Sequence, residues 1–395
     1  MSKLKDLINI LCPNGVEYKP LYSIVSISTG KLNANAMVED GEYAFFTCDA
    51  NPFRIDKYAF DGEAILISGN GSQVGHLNYY IGKFNAYQRT YVLMNFVDDI
   101  VPKYLYHYLN TYLKGHIDEN SKKGSVPYIT LPMLQGFNVP IPPLEIQEEI
   151  VRILDKFGEL EAELEAELEA RESQYEFWSG KIFESHMSGE TKHITDIALV
   201  KARVGWQRLT TAEYLNTGDY YLITGTDFTP EGKIDFNNCV YVTKERYEMD
   251  ENIQVHQNDI LITKDGTLGK IAYLEKEPDK LTTLNSGVFR LKIIDENVLP
   301  RYIYHYFNSK VFKDFIEKVK TGSTIPHLTQ EKLVGLNIPI PNIEEQKKII
   351  NILDKFSNLT RSLSIGLPAE IELRRKQYEY YRNKLLSFEE LSVSE

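Results

Sequence analysis

Apolar positions recur along this chain with two different rhythms. From Ile146 they continue at Ile150, Ile153, Phe157, Leu160, Leu164, Leu168, Tyr175, Trp178 and Ile182. Steps of three and four make one stripe of a helix. Prolines at 140, 142 and 143 forbid an earlier start. The pattern predicts a helix of roughly 40 residues, about 60 Å long at 1.5 Å per residue. A helix of that length needs a partner along its side. A second stripe, Ile349, Leu353, Phe356, Leu359, Leu363, Ile371, Tyr378 and Leu385, predicts that partner over residues 343–388. Gly366-Leu367-Pro368 should break or kink it. Two separate surface helices are the alternative. Elsewhere the rhythm is short. Residues 64–67 and 260–262 are apolar runs that predict strands, each followed by a Gly-rich turn at 68–75 and 263–270. Residues 104–113 and 302–315 predict helices with aromatic inner faces.

These patterns occur twice. Residues 139–157 read VPIPPLEIQEEIVRILDKF and residues 338–356 read IPIPNIEEQKKIINILDKF, identical at 11 positions of 19 with a constant offset of 199. YLYHYLN at 104–110 parallels YIYHYFN at 302–308, and GSVP at 124–127 parallels GSTIP at 322–326. QYE at 174–176 parallels QYE at 377–379. The chain is a tandem pair of halves, each an α+β block followed by a helical region. Residues 1–144 and 188–343 are the blocks, and 145–187 and 344–390 are the helical regions.

Length and charge refine this picture. The 395 residues suffice for two or three domains with cores of their own. A net charge of −12 argues at first against a nucleic-acid ligand. Its distribution removes the objection: residues 145–190 carry −10, while 1–144 and 191–342 carry −1 each. Both blocks are free to present a local basic face. Most of the acid lies in and around residues 159–170, three copies of Glu-Leu-Glu-Ala. Each unit adds about 6 Å of helix. The run is either a ruler between two domains or simply a solvated acidic helix. Three scattered cysteines form no metal or disulfide pattern, and no segment reads as a signal peptide or membrane span. A reducing cytoplasm is the expected location.

Catalytic motifs do not assemble. Gly266-Thr267-Leu268-Gly269-Lys270 lacks the spacing and the hydroxyl of a phosphate-binding loop. Asn51-Pro52-Phe53 is one proline short of an adenine methyltransferase motif, and Asp227 with Glu231-Gly232-Lys233 is a weak match to a nuclease triplet. His107 and His305 sit inside the aromatic helices and read as packed residues. What remains is binding. Polar and basic side chains gather in turns of both blocks: Lys31, Asn33, Asn35, Asn70, Ser72, Gln73, His76, Lys122 and Lys123 in the first, and Lys201, Arg203, Gln207, Lys264, Thr267, Lys270, Lys320 and Ser323 in the second. Amides and guanidiniums read base edges, while Lys holds phosphates. Two similar frames with different polar loops suggest two readers of two short targets. A scaffold binding peptides or glycans would share this outline, as would a self-contained nuclease or methyltransferase, although the motif search disfavours the latter.

The chain resembles the specificity subunits of type I DNA restriction–modification systems. The resemblance rests on residues 11–18 (LCPNGVEY), the repeated Pro-Ile-Pro…Gln…Ile-Leu-Asp-Lys-Phe, the ELEA run and the paired Gln-Tyr-Glu segments. It implies an α+β fold of two α/β target-recognition domains in pseudo-twofold tandem repeat. Two long helices packed as an antiparallel coiled coil would separate them. It further implies a non-catalytic, cytoplasmic chain without cofactor that reads a split asymmetric site in double-stranded DNA. Two methyltransferase subunits using S-adenosylmethionine would dock on the helices, and restriction subunits using ATP and Mg2+ would join them. Gln147, Leu154, Phe157, Leu160, Leu164, Leu168, Tyr175, Gln346, Leu353, Phe356 and Tyr378 are the expected helix and subunit-interface residues.

Overall fold

The computed structural model describes residues 2–120, 128–204, 209–265, 267–320 and 327–391. The chain forms two compact units, Met1–Ala162 with Leu373–Glu395, and Glu163–Glu372. Each unit therefore contains one α+β block and a stretch of each helical region.

In chain order the first unit begins with α1 (Ser2–Leu11), β1 (Glu17–Pro20), β2 (Ser26–Thr29), β3 (Tyr43–Phe46), β4 (Phe53–Ile55), β5 (Phe60–Ser68), β6 (Leu77–Ala86) and β7 (Thr90–Met94). It continues through α2 (Pro102–Asn120), α3 (Leu131–Gln135), β8 (Asn138–Ile141) and the start of α4 (Leu144–His186). Six strands form one sheet in the order β2-β7-β5-β6-β3-β4. The apolar run at 64–67 is the centre of β5. It is continuous rather than alternating because both faces are covered. Ile65 and Ile67 pack with Tyr104, Leu105 and Leu109 of α2, and Ala64 and Leu66 pack with Phe46, Phe84 and Val92.

The second unit holds the rest of α4, then β9 (Thr191–His193), α5 (Ile194–Ile197), β10 (Ala198–Ala202), β11 (Tyr220–Ile223), β12 (Val240–Val242), α6 (Lys244–Glu248), β13 (Ile260–Thr263), β14 (Ile271–Tyr273), β15 (Leu281–Leu284) and β16 (Val288–Ile293). It ends with α7 (Pro300–Asn308), α8 (Lys310–Val319), α9 (Gln330–Val334), β17 (Asn337–Pro339), α10 (Ile343–Arg361) and the start of α11 (Leu367–Leu385). Its strands divide into three sheets, β10-β16-β13-β14, β12-β11-β15 and the pair β17-β9. The helix expected over 302–315 is two helices. Ser309 adopts extended backbone and its hydroxyl donates to the Tyr306 carbonyl at 2.6 Å, which stops α7.

The long helix predicted from the first stripe is α4, 43 residues without interruption. Its predicted partner is broken into α10 and α11, as the Gly-Leu-Pro signal implies. Gly366 is required there, since a Cβ would lie 2.4 Å from the Asn358 carbonyl. The Glu231 carboxylate accepts the amide of Leu363 at the break, 2.9 Å away. Pairing within each unit is antiparallel. In the first, Phe157 meets Tyr381 and Tyr378 with ring centroids 5.6 and 6.2 Å away, and Glu161 bonds Arg375 at 2.6 Å. In the second, Tyr175 meets Phe356 at 6.4 Å and lies under the Arg361 guanidinium. The stripes predict more inward positions than exist: Trp178, Leu359 and Leu363 are exposed.

Both units repeat one clamp. Gln147 is fully buried; its Oε1 accepts from Val101 N at 2.8 Å and its Nε2 donates to the carbonyls of Asp99 (2.9 Å) and Pro142 (2.7 Å). Gln346 does the same with Leu299 N (2.9 Å) and the carbonyls of Asn297 and Pro341 (both 2.8 Å). About two turns further along, Asp155 receives Lys103 (2.6 Å) and His107 (3.1 Å), and Asp354 receives Arg301 (2.9 Å) and His305 (2.7 Å). Each helical region is thus bolted to the aromatic helix of its own block.

Candidate nucleic-acid interface

Five segments converge at one end of the first block. The backbone of Gln88 donates to Leu32 O (2.9 Å), Tyr87 N to Phe46 O (2.9 Å), Gly69 N to Arg89 O (2.9 Å) and Ile129 N to Gly69 O (2.8 Å). Gly69 permits this approach, because a Cβ there would stand 2.4 Å from Arg89 O. Side chains tie the same turns. Gln88 donates its amide to Asn33 Oδ1 at 2.9 Å, Cys48 Sγ lies 3.2 Å from Asn70 Oδ1, and His76 Nε2 lies 3.2 Å from Ala50 O.

The structure therefore brings Lys31, Asn33, Asn70 and His76 into one cluster. Asn35 is exposed in the short helical turn Ala34–Ala36, and Ser72 and Gln73 are exposed on the loop between β5 and β6. Gln88 and Arg89, exposed at the tip between β6 and β7, join the cluster and were not singled out from sequence. The available signal was a short polar break between two apolar strands. Lys122 and Lys123 lie outside the described residues.

The second block repeats the frame. Asn285 N donates to Ile223 O (2.8 Å), Lys264 N to Gly287 O (2.9 Å) and Leu328 N to Lys264 O (2.9 Å). Thr267 is exposed beside it, and the Lys264 ammonium lies 5.2 Å from the Phe289 ring centroid. The other candidates scatter. Arg203 is buried; its Nε donates to Leu284 O (2.8 Å) and its guanidinium also reaches Thr283 Oγ1 (3.2 Å). Arg203 thus holds the strand entering the 285–287 turn, and is not an open loop side chain. Lys201 is exposed on β10, opposite Arg290 of β16. Lys270 turns toward the helices and lines a cavity of about 540 Å³ with Leu168, Thr229, Asn308 and Arg361. Lys320 pairs with Glu317 at 2.6 Å. Gln207 and Ser323 lie outside the described residues, as do GSVP and GSTIP.

The named helix residues turn inward. Leu154, Tyr175 and Leu353 are buried like the two glutamines. Phe157, Phe356 and Tyr378 pack ring against ring within their own units, and Leu160, Leu164 and Leu168 are half-buried. They pack within their own units, the half-buried ones with part of their surface open. Exposed apolar side chains on these helices include Phe177, Trp178, Ile352, Leu359, Leu373 and Tyr380, with Leu363 exposed at the break between α10 and α11.

The titratable groups near the helices serve the fold. Burial pushes His107 and His305 below the usual imidazole range, outweighing the carboxylates that favour the charged form. Each donates from Nε2 to its Asp, and Nδ1 is left buried without a hydrogen-bond partner. Burial raises Asp155 and Asp354, but hydrogen bonds from the paired cations and imidazoles reverse this and hold both carboxyls low. Among the described residues no group of His, Cys, Asp and Glu is placed to hold a metal ion, and no helix is long and apolar enough to cross a membrane.

A family model described as the type I restriction modification DNA specificity domain matches residues 1–170 and 189–373. The chain belongs to this family. A putative type I restriction enzyme specificity subunit of Haemophilus influenzae is 30 % identical over 94 % of this chain and 96 % of that relative. The EcoR124I/EcoR124II specificity subunit of Escherichia coli is 35 % identical over 72 % of this chain and 70 % of its own length. Two solved structures share the fold. The S subunit of M. genitalium has a TM-score of 0.54 at 17 % identity, covering 94 % of this chain and 96 % of that one. A chain from a study of type I complex assembly and conformational transition has 0.65 at 12 % identity, covering 95 % and 98 %. As a specificity subunit, the chain is non-catalytic.

Proposed function

We propose that this specificity subunit reads a bipartite, asymmetric site in double-stranded DNA, one half per unit, and directs adenine methylation or restriction by partner subunits. The observation that carries this reading is the repeated loop cluster. One backbone frame presents Lys31, Asn33, Gln88 and Arg89 in the first unit, and Lys264, Thr267 and Ser286 in the second. A shared frame with different side chains suits two readers of different sequence. The chain itself carries no cofactor. Two methyltransferase subunits supply S-adenosylmethionine chemistry, and restriction subunits supply ATP- and Mg2+-dependent cleavage, in the cytoplasm. The partners dock on the helical regions, for which the open apolar side chains of α4, α10 and α11 are the candidates. The acidic run of α4 repels phosphates and spaces the two readers. Exchanging residues 1–144 for the matching block of another specificity subunit tests this. One half of the methylated motif changes and the other half and the gap persist; changes in both halves contradict it.

A further inference from the structure

The tip between β6 and β7 differs between the units in a way that assigns a reading residue. Arg89 sits on a backbone held from several directions. Its carbonyl accepts Gly69 N, Thr90 N turns back to Tyr87 O (2.9 Å), and Gln88 N is bonded to Leu32 O. Its side chain is exposed, and its guanidinium makes no hydrogen bond or ion pair with any described residue. The acidic member of the cluster, Asp49, is turned back onto Thr47 Oγ1 at 2.8 Å. A rigid mount with a free planar fork is the arrangement that pays least entropy on bidentate contact. At the equivalent turn of the second unit, Asn285 spends its side chain internally. Its oxygen accepts from Gly287 N and Ser286 Oγ, both at 3.0 Å, and its amide nitrogen donates to Tyr214 Oη. That tip carries no cation.

We infer that Arg89 is a specificity-determining residue that donates both guanidinium N–H groups to a guanine edge in the major groove of the first half-site. This rests on the bipartite reading proposed above. A planar fork suits a base edge, whereas Lys31, the chain neighbour of Leu32, is a point charge that suits a phosphate.

The test maps adenine methylation by single-molecule sequencing of genomic DNA from a methylation-free host co-expressing the full chain with its methyltransferase subunit. Wild type, Arg89→Ala and Arg89→Lys are compared. A base contact predicts that both variants lose discrimination at one G·C position of one half-site by about 5- to 150-fold, with the other half-site unchanged. Lysine does not rescue, because it lacks the fork. Three results overturn the assignment: methylation falling evenly at all sites and restored by lysine, an unchanged motif, or a change in both halves. If the wild-type complex itself yields no bipartite motif, the functional reading fails first, and that failure is visible before either variant is scored.

Discussion

Replacing Gln147 or Gln346 by leucine separates the clamp from every other feature of the helical regions. Volume is nearly kept, the polar amide is replaced by a hydrocarbon, and the three hydrogen bonds are lost. In the first unit, Val101 N–H and the carbonyls of Asp99 and Pro142 lose their partner. The site is fully buried at the side chain, so rehydration is incomplete. A buried polar group left unpaired costs about 1–3 kcal/mol. The carbonyls have second lone pairs and partial access to water, so the amide dominates and the sum is about 2–4 kcal/mol. The second unit presents the same three partners, so Gln346→Leu should cost the same amount. The assay is urea unfolding of the full chain, followed by the intrinsic fluorescence of its tyrosines and tryptophans. The two variants act in separate compact units, so the double variant should be additive within about 0.5 kcal/mol. A loss below about 0.5 kcal/mol for either single variant refutes the clamp.

Three further outcomes follow from the same contacts. Deleting Glu163 to Ala166 removes about 6 Å of helix, so the gap in the methylated motif should shorten by about two base pairs with both half-sites kept; altered half-sites would defeat the ruler. Gly69→Ala places a methyl group against Arg89 O, and should cost about 1–3 kcal/mol and impair the first half-site alone, read as unfolding midpoint and methylated motif. The buried imidazoles make stability depend on pH. Their folded pKa lies below the unfolded value near 6.5. The unfolded chain therefore binds more protons between the two values, and stability present above about pH 6.5 is lost as pH falls toward the folded pKa. The low carboxyls of Asp155 and Asp354 add a loss of the same sign at lower pH. Substituting both histidines by asparagine should flatten the thermal-stability profile between pH 7 and 5.5, values chosen to bracket about 6.5; an unchanged slope would count against this origin.

Much of the fold was legible in the sequence where one signal ran unopposed. The steps of three and four through α4 meet no breaker, and the runs at 64–67 and 260–262 are central strands buried on both faces. Gly366-Leu367-Pro368 marked the break between α10 and α11 because backbone geometry demands it there. The α7–α8 junction was missed because its stop is a serine hydroxyl bond, a polar signal weaker than glycine or proline. Helix periodicity showed which side chains repeat, but not which stripe residues find a neighbour, so Leu359 and Trp178 read as inward and are exposed. The site was harder. Lys31, Asn33, Asn70 and His76 were singled out by residue type and share one loop cluster, whereas Gln88 and Arg89 join them only through register between distant turns. Arg203 looked like a loop cation and is a buried strap on Leu284 O, a distinction made entirely by tertiary contacts.

Whether two independent readers share one chain is measured by the adenine-methylation map of a methylation-free host carrying the intact chain and its methyltransferase subunit. One asymmetric motif of two short specified segments around a fixed unspecified gap is expected, present only when both proteins are expressed. A continuous motif, or methylation by either protein alone, would contradict that expectation.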